Sequence, residues 1–308
     1  MQLRGQFQDF FYETALPALN AKVFQTFKAK PPMFKKILDT MTTTRSIEQF
    51  SQVTGVGLPL LVGEAEDISV DTMVQGFNRT LRPLKYALGI ACSQELVEDD
   101  KMGIVAKRAV ALANSVSQLR EIQGASVLNN AFDGTNFPGP DGKALCASDH
   151  PLVKSGGIQN NLISVPADLD VPSLELALTD YELIKTPEGF LQQLSKPKLL
   201  TASMNRWNQA EILKSQMRSD TANHTANAFD YTEQGGAIEG MTWSFLSDPD
   251  AWFLVAPPTE TNMLWLDRKA PATDSDFVKK NQTGFLYISY RAIVGHYGWL
   301  GVYGSPGA

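Results

Sequence analysis

The feature that most constrains the fold is a long helix-forming stretch from Ser93 to Asn130. Ser93 is a suitable N-cap, and acidic residues that favour a first turn follow it: Glu95, Glu98, Asp99 and Asp100. Apolar residues then recur at steps of four and three: Val105, Ala109, Leu112, Val116 and Leu119. With Gly124 as the one weak point, the pattern predicts a helix of about 40 Å, well beyond the usual globular length.

The composition gives this helix a large core to pack in. The 308 residues are 43 % hydrophobic and 19 % charged, enough for one elaborate domain or two smaller ones. The net charge of −6 does not favour nucleic-acid binding as the main task. No run approaches the roughly 20 apolar residues of a membrane span, and no membrane partner is expected. Two cysteines give no disulfide framework, so synthesis in a reducing cytoplasm is expected.

The second half of the chain alternates helix and strand signals, which predicts an α+β fold. Helical faces are expected from Leu174 to Ile184 and from Trp207 to Leu213, with a short strand over Pro197 to Ala202 between them. A polar loop is predicted from Asp220 to Asn227. Strand-like runs follow at Met241–Phe245, Ala251–Val255, Met263–Leu266 and Phe285–His296.

The first 45 residues have a charge opposite to that of the rest. They hold seven basic and three acidic residues, a net +4, so the remainder carries −10. Pro17 and Pro31-Pro32 divide this segment into short pieces, while Phe24 and Phe27 offer apolar anchors and Lys35 and Lys36 offer charge. The segment is interpreted as an arm that needs a partner surface, or equally as an ordinary helix packed on its own core.

The next segment reverses the sign of the charge. No basic residue occurs from residue 46 to residue 78, where Glu64, Glu66 and Asp67 lie, and the basic residues Arg79, Arg82 and Lys85 follow. Partial alternation at Ser69–Asp71 and from Phe77 to Ile90 predicts an extended hairpin that is polar on both faces. Such a hairpin cannot stabilise itself and is expected to lie on a neighbouring molecule, or else to be a solvated loop.

Catalytic chemistry has one weak candidate. Cys146 and His150 lie with Ser148 and Asp149 in one Gly/Pro-rich loop region, whereas a nucleophile and its base are normally brought from distant segments. A cysteine hydrolase using Cys146 and His150 is therefore the least favoured alternative. No metal or cofactor is expected, because the three histidines are far apart and no glycine-rich phosphate loop is present.

Several stretches resemble the HK97-like major capsid proteins of tailed bacteriophages, and in particular the Mu-type major head subunit group. The resemblance extends over most of the chain from about Phe34. It rests on short similar stretches at both ends of the long helix, in the loop after it and at the C-terminus. The stretches are Glu95–Asp100, Val127–Phe132, Gly139–Leu145 with Ser148–Pro151, and Tyr303–Gly307.

The resemblance implies a fold with two projections and two domains. Residues 1–45 would be an N-terminal arm that crosses to a neighbouring subunit, and residues 46–92 would hold the E-loop hairpin with its flanking strands. Residues 93–159 would form the peripheral domain with its spine helix, 160–255 the axial domain, and 256–308 strands that return to the peripheral domain. The charged and aromatic residues of the arm and hairpin are then the subunit-interface candidates: Phe24, Phe27, Lys35, Lys36, Glu64, Glu66, Asp67, Arg79, Arg82 and Lys85.

The resemblance also implies a structural protein and not an enzyme. The chain would assemble with itself as hexamers and pentamers of a virion shell made in the bacterial cytoplasm, and would contact packaged double-stranded DNA only non-specifically. Its partners would be a portal, a separate scaffolding protein and, as an optional partner, a decoration protein. The scaffolding protein is expected to be separate because the matched region starts soon after Met1. An encapsulin-like nanocompartment is the alternative of the same fold. No lysine lies between Lys36 and Lys85, so isopeptide cross-linking from the hairpin tip is not expected.

Overall fold

The N-terminal arm is divided at its proline pair. The computed structural model describes residues 12–13, 16–64, 67–99, 103–214 and 238–308. Helix α1 runs over Leu16–Ala29 and buries Leu19 and Val23. Pro31 and Pro32 follow it, because proline cannot continue a helix, and a 3-10 turn then runs over Met33–Lys36. Strand β1, Asp39–Thr42, brings the chain into the first sheet.

The hairpin begins earlier than the sequence pattern predicts. Its two strands are β2, Glu48–Val53, and β3, Gln75–Leu81, which pair antiparallel. Residues 54–74, here called the hairpin tip, contain no strand in their described part, so the strand expected at Ser69–Asp71 is not formed. The predicted hairpin arm from Phe77 to Ile90 is two strands: after β3 the chain continues as β4, Leu84–Ser93, which pairs with a strand near the C-terminus.

The long predicted helix is present, but it is divided near its start. Helix α2 is short, Gln94–Glu98, and Ser93 caps it by accepting a hydrogen bond from the Leu96 N–H. Helix α3 then runs from Ile104 to Asn129 and starts after Gly103, whose φ of 65° is left-handed. Its 26 residues span about 40 Å, as predicted. The single helix predicted from Ser93 is therefore too long at its start, because Gly103 interrupts it.

The second half of the chain folds as alternating strands and helices. A short ladder, β5 at His150–Pro151 and β6 at Ile158–Gln159, precedes helix α4 at Val171–Glu182. Four predicted elements are confirmed within two residues at either end. They are strand β7 at Lys198–Ala202, helix α5 at Arg206–Lys214, strand β8 at Glu239–Trp243 and strand β9 at Trp252–Val255. The loop predicted from Asp220 to Asn227 lies outside the described residues.

Two four-stranded sheets organise the described residues. Strands β10, Met263–Val278, and β11, Thr283–His296, are long antiparallel partners, and the first sheet has the order β1-β10-β11-β4. The last strand, β12 at Val302–Ser305, joins the second sheet in the order β12-β9-β7-β8. The C-terminal segment therefore contributes to both sheets: β10 pairs with β1 and β11, β11 also pairs with β4, and β12 lies beside β9 in the second sheet.

The main core lies under helix α3. Residues at every second position of β11 are buried: Leu286, Ile288, Tyr290 and Ala292. They belong to one apolar cluster with the buried face of α3, with Leu19 and Val23 of α1, and with residues of the second sheet. A second cluster lies between α4, α5 and the second sheet. Helix α3 thus packs against the arm, the first sheet and the second sheet.

Candidate assembly surfaces

The hairpin tip exposes aliphatic side chains to solvent. The segment Leu58-Pro59-Leu60-Leu61-Val62 is exposed along its length, and Leu61 is fully exposed. The exposed large aliphatic residues of the tip are Val56, Leu58, Leu60, Leu61, Val62, Ile68, Val70, Met73 and Val74. The expectation of a hairpin that is polar on both faces was therefore wrong. Contiguous apolar surface of this kind marks an interaction site in a soluble protein.

Acidic residues lie beside this apolar surface. Glu64 and Asp67 are exposed, and Glu66 lies outside the described residues. No basic residue occurs from residue 46 to residue 78. The tip therefore presents a surface of aliphatic side chains next to exposed acidic side chains.

Lys154 and Glu188, from other parts of the chain, contact the two ends of the tip. We call these two side chains and their partners Gly55, Asp71 and Thr72 the hairpin latch. The Lys154 ammonium lies 2.5 Å from Asp71 Oδ2 and 3.2 Å from the Thr72 carbonyl oxygen. Glu188 accepts a hydrogen bond from the Gly55 N–H. The hydrogen bonds from Lys154 and from the Gly57 N–H lower the pKa of Asp71 to about 2. Sequence reasoning missed this latch, because nothing local in the sequence links Lys154 to residue 71.

The three basic candidates after the tip occupy different environments. Arg79 lies in β3 and donates through Nη1 to the Pro138 carbonyl oxygen at 2.9 Å, so it holds the hairpin to its own chain. Arg82 is exposed in the turn between β3 and β4. Lys85 is exposed in β4, opposite Arg291 of β11, and so belongs to the first sheet instead of the hairpin.

The arm and helix α3 enclose a groove of about 540 Å³. Its apolar lining includes Phe24, which is 47 % exposed, and the half-buried Phe27, while Lys30 and Lys35 lie among its charged lining. Lys36 is exposed beside it. The structure thus places four of the predicted residues, Phe24, Phe27, Lys35 and Lys36, on or beside one surface.

Below the groove, Phe34 joins the arm to the centre of α3. Phe34 is fully buried and stacks on Trp265 of β10 with ring centroids 4.2 Å apart. The Glu121 carboxylate accepts hydrogen bonds from the Met33 N–H at 2.6 Å and from the Trp243 indole N–H at 2.9 Å. One carboxylate on α3 therefore connects the arm to strand β8 of the second sheet.

The adjacent Arg120 forms a largely buried ion pair. Its Nη2 donates to both oxygens of Asp267, at 2.9 and 3.2 Å, and the two side chains are only 12 % and 13 % exposed. The guanidinium also lies 5.1 to 5.7 Å from the ring centroids of Trp265, Phe34 and Tyr290. Arginine suits such a site because its planar group can pair and stack at once.

Cys146 and His150 do not form a nucleophile and base pair. Both ring nitrogens of His150 are engaged elsewhere, Nδ1 with Asp141 Oδ2 at 2.6 Å and Nε2 with Asn161 Oδ1 at 3.1 Å. Burial raises the pKa of the Cys146 thiol, which disfavours the reactive thiolate. His150 instead stacks on Trp299 with ring centroids 4.9 Å apart, as part of a buried polar network.

The comparisons with known proteins bear on this arrangement of sheets, helix, arm and hairpin. The sequence profile of the family described as phage capsid protein matches residues 78–305. The chain belongs to this phage capsid protein family. No curated protein matches the sequence.

Solved structures of capsids share the fold at low sequence identity. The mature capsid of bacteriophage PhiM1 aligns with a TM-score of 0.55 at 11 % identity, covering 90 % of this chain and 87 % of that one. The structure of Mycobacterium phage Bobi gives 0.53 at 13 % identity and 90 % of each chain. The virus-like particle from Pyrococcus furiosus gives 0.53 at 9 % identity, covering 95 % and 99 %. The chain therefore has the HK97-like capsid fold that its sequence predicted.

Membership of the capsid family settles the broad class of function. The protein is a major capsid protein of a virion shell, as the sequence predicted, and the nanocompartment alternative has no better support. Within the described ranges, no helix is long and apolar enough to cross a membrane. The same ranges contain no cluster of histidine, cysteine and acidic residues that could hold a metal ion.

Proposed function

We propose that the chain is the repeating subunit of an icosahedral head around phage double-stranded DNA, of the Mu-type group, and that it is made in the host bacterial cytoplasm. The observation that carries this proposal is the exposed aliphatic hairpin tip, which a solitary subunit leaves in water. Burial of apolar surface contributes roughly 25 cal/mol per Å², so a neighbouring copy that covers the tip would gain substantially. The apolar surface of the tip is thus buried only when the subunit contacts its neighbours in the shell.

The domain boundaries proposed from the sequence give each part a role in this shell. Residues 1–45 act as the arm, 46–92 contain the hairpin, 93–159 form the peripheral domain and 160–255 the axial domain. In 256–308, β10 and β11 return to the peripheral domain, whereas β12 joins the second sheet beside β9. The ten charged and aromatic candidates of the arm and hairpin act as interface residues, except that Arg79 also anchors the hairpin within its own chain. The exposed aliphatic residues of the tip are added to that set.

Charge complementarity between projections would set the register of neighbouring subunits. The exposed Lys35 and Lys36 of the arm are cationic, and the exposed Glu64 and Asp67 of the tip are anionic. Exposed ion pairs contribute only about 0 to 1 kcal/mol each, so these pairs orient subunits while the aliphatic contacts supply strength. Many such weak contacts act together in a closed shell through avidity.

The remaining roles are proposed from the resemblance. A separate scaffolding protein directs assembly, a portal occupies one vertex, and a decoration protein is an optional partner. Packaged DNA contacts the shell without sequence specificity, which fits the net charge of −6. The subunit performs no catalysis, and replacing the buried Cys146 by alanine is expected to leave assembly intact.

Electron microscopy of the purified chain tests the proposal. Without the scaffolding protein, the wild type is expected to form particles of mixed size, and the triple variant Leu58→Ser, Leu60→Ser, Leu61→Ser is expected to remain as free, folded subunits. The matched control replaces three exposed aliphatic residues outside the tip by serine, Ile158, Val165 and Leu176, and is expected to assemble. Normal shells from the tip variant would overturn the assignment of the tip as an assembly surface.

A further inference from the structure

Where the hairpin meets the loop after α3, two buried polar atoms have no hydrogen-bond partner. These atoms are Arg79 Nε and His296 Nε2. Buried polar groups normally find partners, and each one left without a partner costs free energy. Both side chains approach the same peptide unit: Arg79 Nη1 donates to the Pro138 carbonyl oxygen, and a Cβ atom at Gly139 would lie 3.1 Å from His296 Nε2. We call this set, Arg79, Pro138, Gly139 and His296, the hairpin clasp.

The clasp accepts only a neutral His296. The side chain is 7 % exposed, and it faces the Arg79 guanidinium from β3, the Asp141 carboxylate from the loop and His150 from β5. A proton on Nε2 would place a second cation beside Arg79 with no acceptor for the new N–H. The Asp141 carboxylate offsets this only in part: its charge raises the pKa of His296, but burial and the Arg79 charge lower that pKa by more, and the Oδ2 atom of Asp141 is already bound to His150 Nδ1 at 2.6 Å.

We infer that His296 is an acid-sensitive element of the hairpin anchor, and that its protonation opens the hairpin clasp and frees the hairpin from the loop of residues 133–143. Protonation would break the contact of Arg79 with Pro138, because that contact holds the guanidinium beside the new charge. The hairpin would then be held to the rest of the chain by the stack of Phe50 on Tyr297 at 5.4 Å and by the latch. In a shell, the outcome would be acid-dependent movement of the hairpin, a consequence that rests on the proposed function.

The latch is expected not to respond over the same pH range. The pKa of Asp71 is lowered to about 2 by its hydrogen bonds with Lys154 and the Gly57 N–H. Although partial burial raises the pKa of Glu188, hydrogen bonding that includes the Gly55 N–H outweighs it and lowers that pKa overall. Burial lowers the pKa of His296 to about 4, and the nearby Arg79 charge acts in the same direction. Acid that protonates His296 at the clasp therefore leaves Asp71 of the latch ionised.

A spin label at the hairpin tip tests the inference in the full chain. Leu61→Cys provides the attachment site, since Leu61 is fully exposed and both native cysteines are buried. The mobile fraction of the label is expected to rise several-fold between pH 7.5 and pH 4. The variant His296→Gln, which cannot be protonated in this range, is expected to show no such rise. Lys154→Ala is the control: it raises mobility at both pH values and keeps the acid response.

The histidine ring signals give a second measurement that needs no substitution in the clasp. The midpoint of His296 titration by NMR is expected to coincide with the midpoint of label mobility. Label mobility that stays constant with pH, or an unchanged acid response in His296→Gln, would overturn the inference, and so would midpoints more than one pH unit apart. None of these outcomes affects the proposed function, which is tested by particle formation.

Discussion

Gly124 of α3 and Phe34 of the arm approach so closely that a Cβ atom at Gly124 would lie 2.6 Å from the Phe34 Cβ. The same added atom would lie 3.4 Å from the Trp243 ring. Glycine is a weak helix former, yet here its missing side chain makes room for the two aromatic residues that connect α3 to the arm and to β8. What looked like a weak point of the helix is the place where three parts of the fold meet.

Gly124→Ala is expected to destabilise the protein. Alanine gains about 1 kcal/mol of helix propensity, but overpacking against Phe34 costs about 1 to 3 kcal/mol. The net loss, expected to be about 1 kcal/mol, is measurable by urea unfolding. Ser115→Ala, at an exposed position of the same helix, is the control and is expected to change stability by less than about 0.5 kcal/mol. A Gly124→Ala variant more stable than the wild type would contradict this prediction, because it would show that Phe34 can move away from the new methyl group without loss of unfolding free energy.

Arg120→Ala is expected to be far more damaging than loss of an exposed ion pair. It leaves the Asp267 carboxylate, 13 % exposed, without the guanidinium that donates to both of its oxygens, at a cost of about 3 to 5 kcal/mol. Arg120→Lys keeps the charge but not the planar group between the rings, so an intermediate loss is expected. Lys198→Ala, which removes an exposed pair with Glu239, is the control. Equal unfolding free energies for Arg120→Ala and Lys198→Ala would contradict this ranking.

The sequence predicted the elements whose signals are local. Periodic apolar residues identified α3 and α4, and the short apolar run before Ala202 identified β7. The hairpin was misplaced because the alternation from Phe77 to Ile90 fits either a hairpin or a strand of a larger sheet. The choice depends on β11, whose pairing partner for Leu84 is Ala292, and nothing near Leu84 in the sequence indicates it.

The candidate surfaces divide in the same way. The charged residues of the arm and hairpin are visible in the sequence, and so is the apolar run from Leu58 to Val62. The acidic residues beside this run nevertheless led to the prediction of a polar hairpin. The Lys154 contact with Asp71 joins residues 83 positions apart, so only the folded chain brings them together. Contacts of this kind depend on tertiary packing, which local patterns do not encode.

Stability is expected to fall in mild acid because of His296. The folded chain binds a proton there with a pKa of about 4, against an ordinary value of 6.5. Between these values the unfolded chain binds more protons, so the contribution is complete above about pH 6.5 and is lost as the pH falls to about 4. The loss attributable to this residue is on the order of 3 kcal/mol. Urea unfolding at pH 7 and pH 4 should show a smaller decrease for His296→Gln than for the wild type; equal decreases would contradict the assignment.

Mature particles are expected to contain no covalent subunit ladder. The chain has no lysine between Lys36 and Lys85, and Lys154, which contacts the hairpin tip, is paired with the ionised Asp71 at the latch. Denaturing electrophoresis should therefore give a single band at 33.8 kDa, with a sample treated with a chemical cross-linker as the positive control. Bands at multiples of this mass in untreated particles would contradict the prediction and would show that another lysine cross-links the subunits covalently.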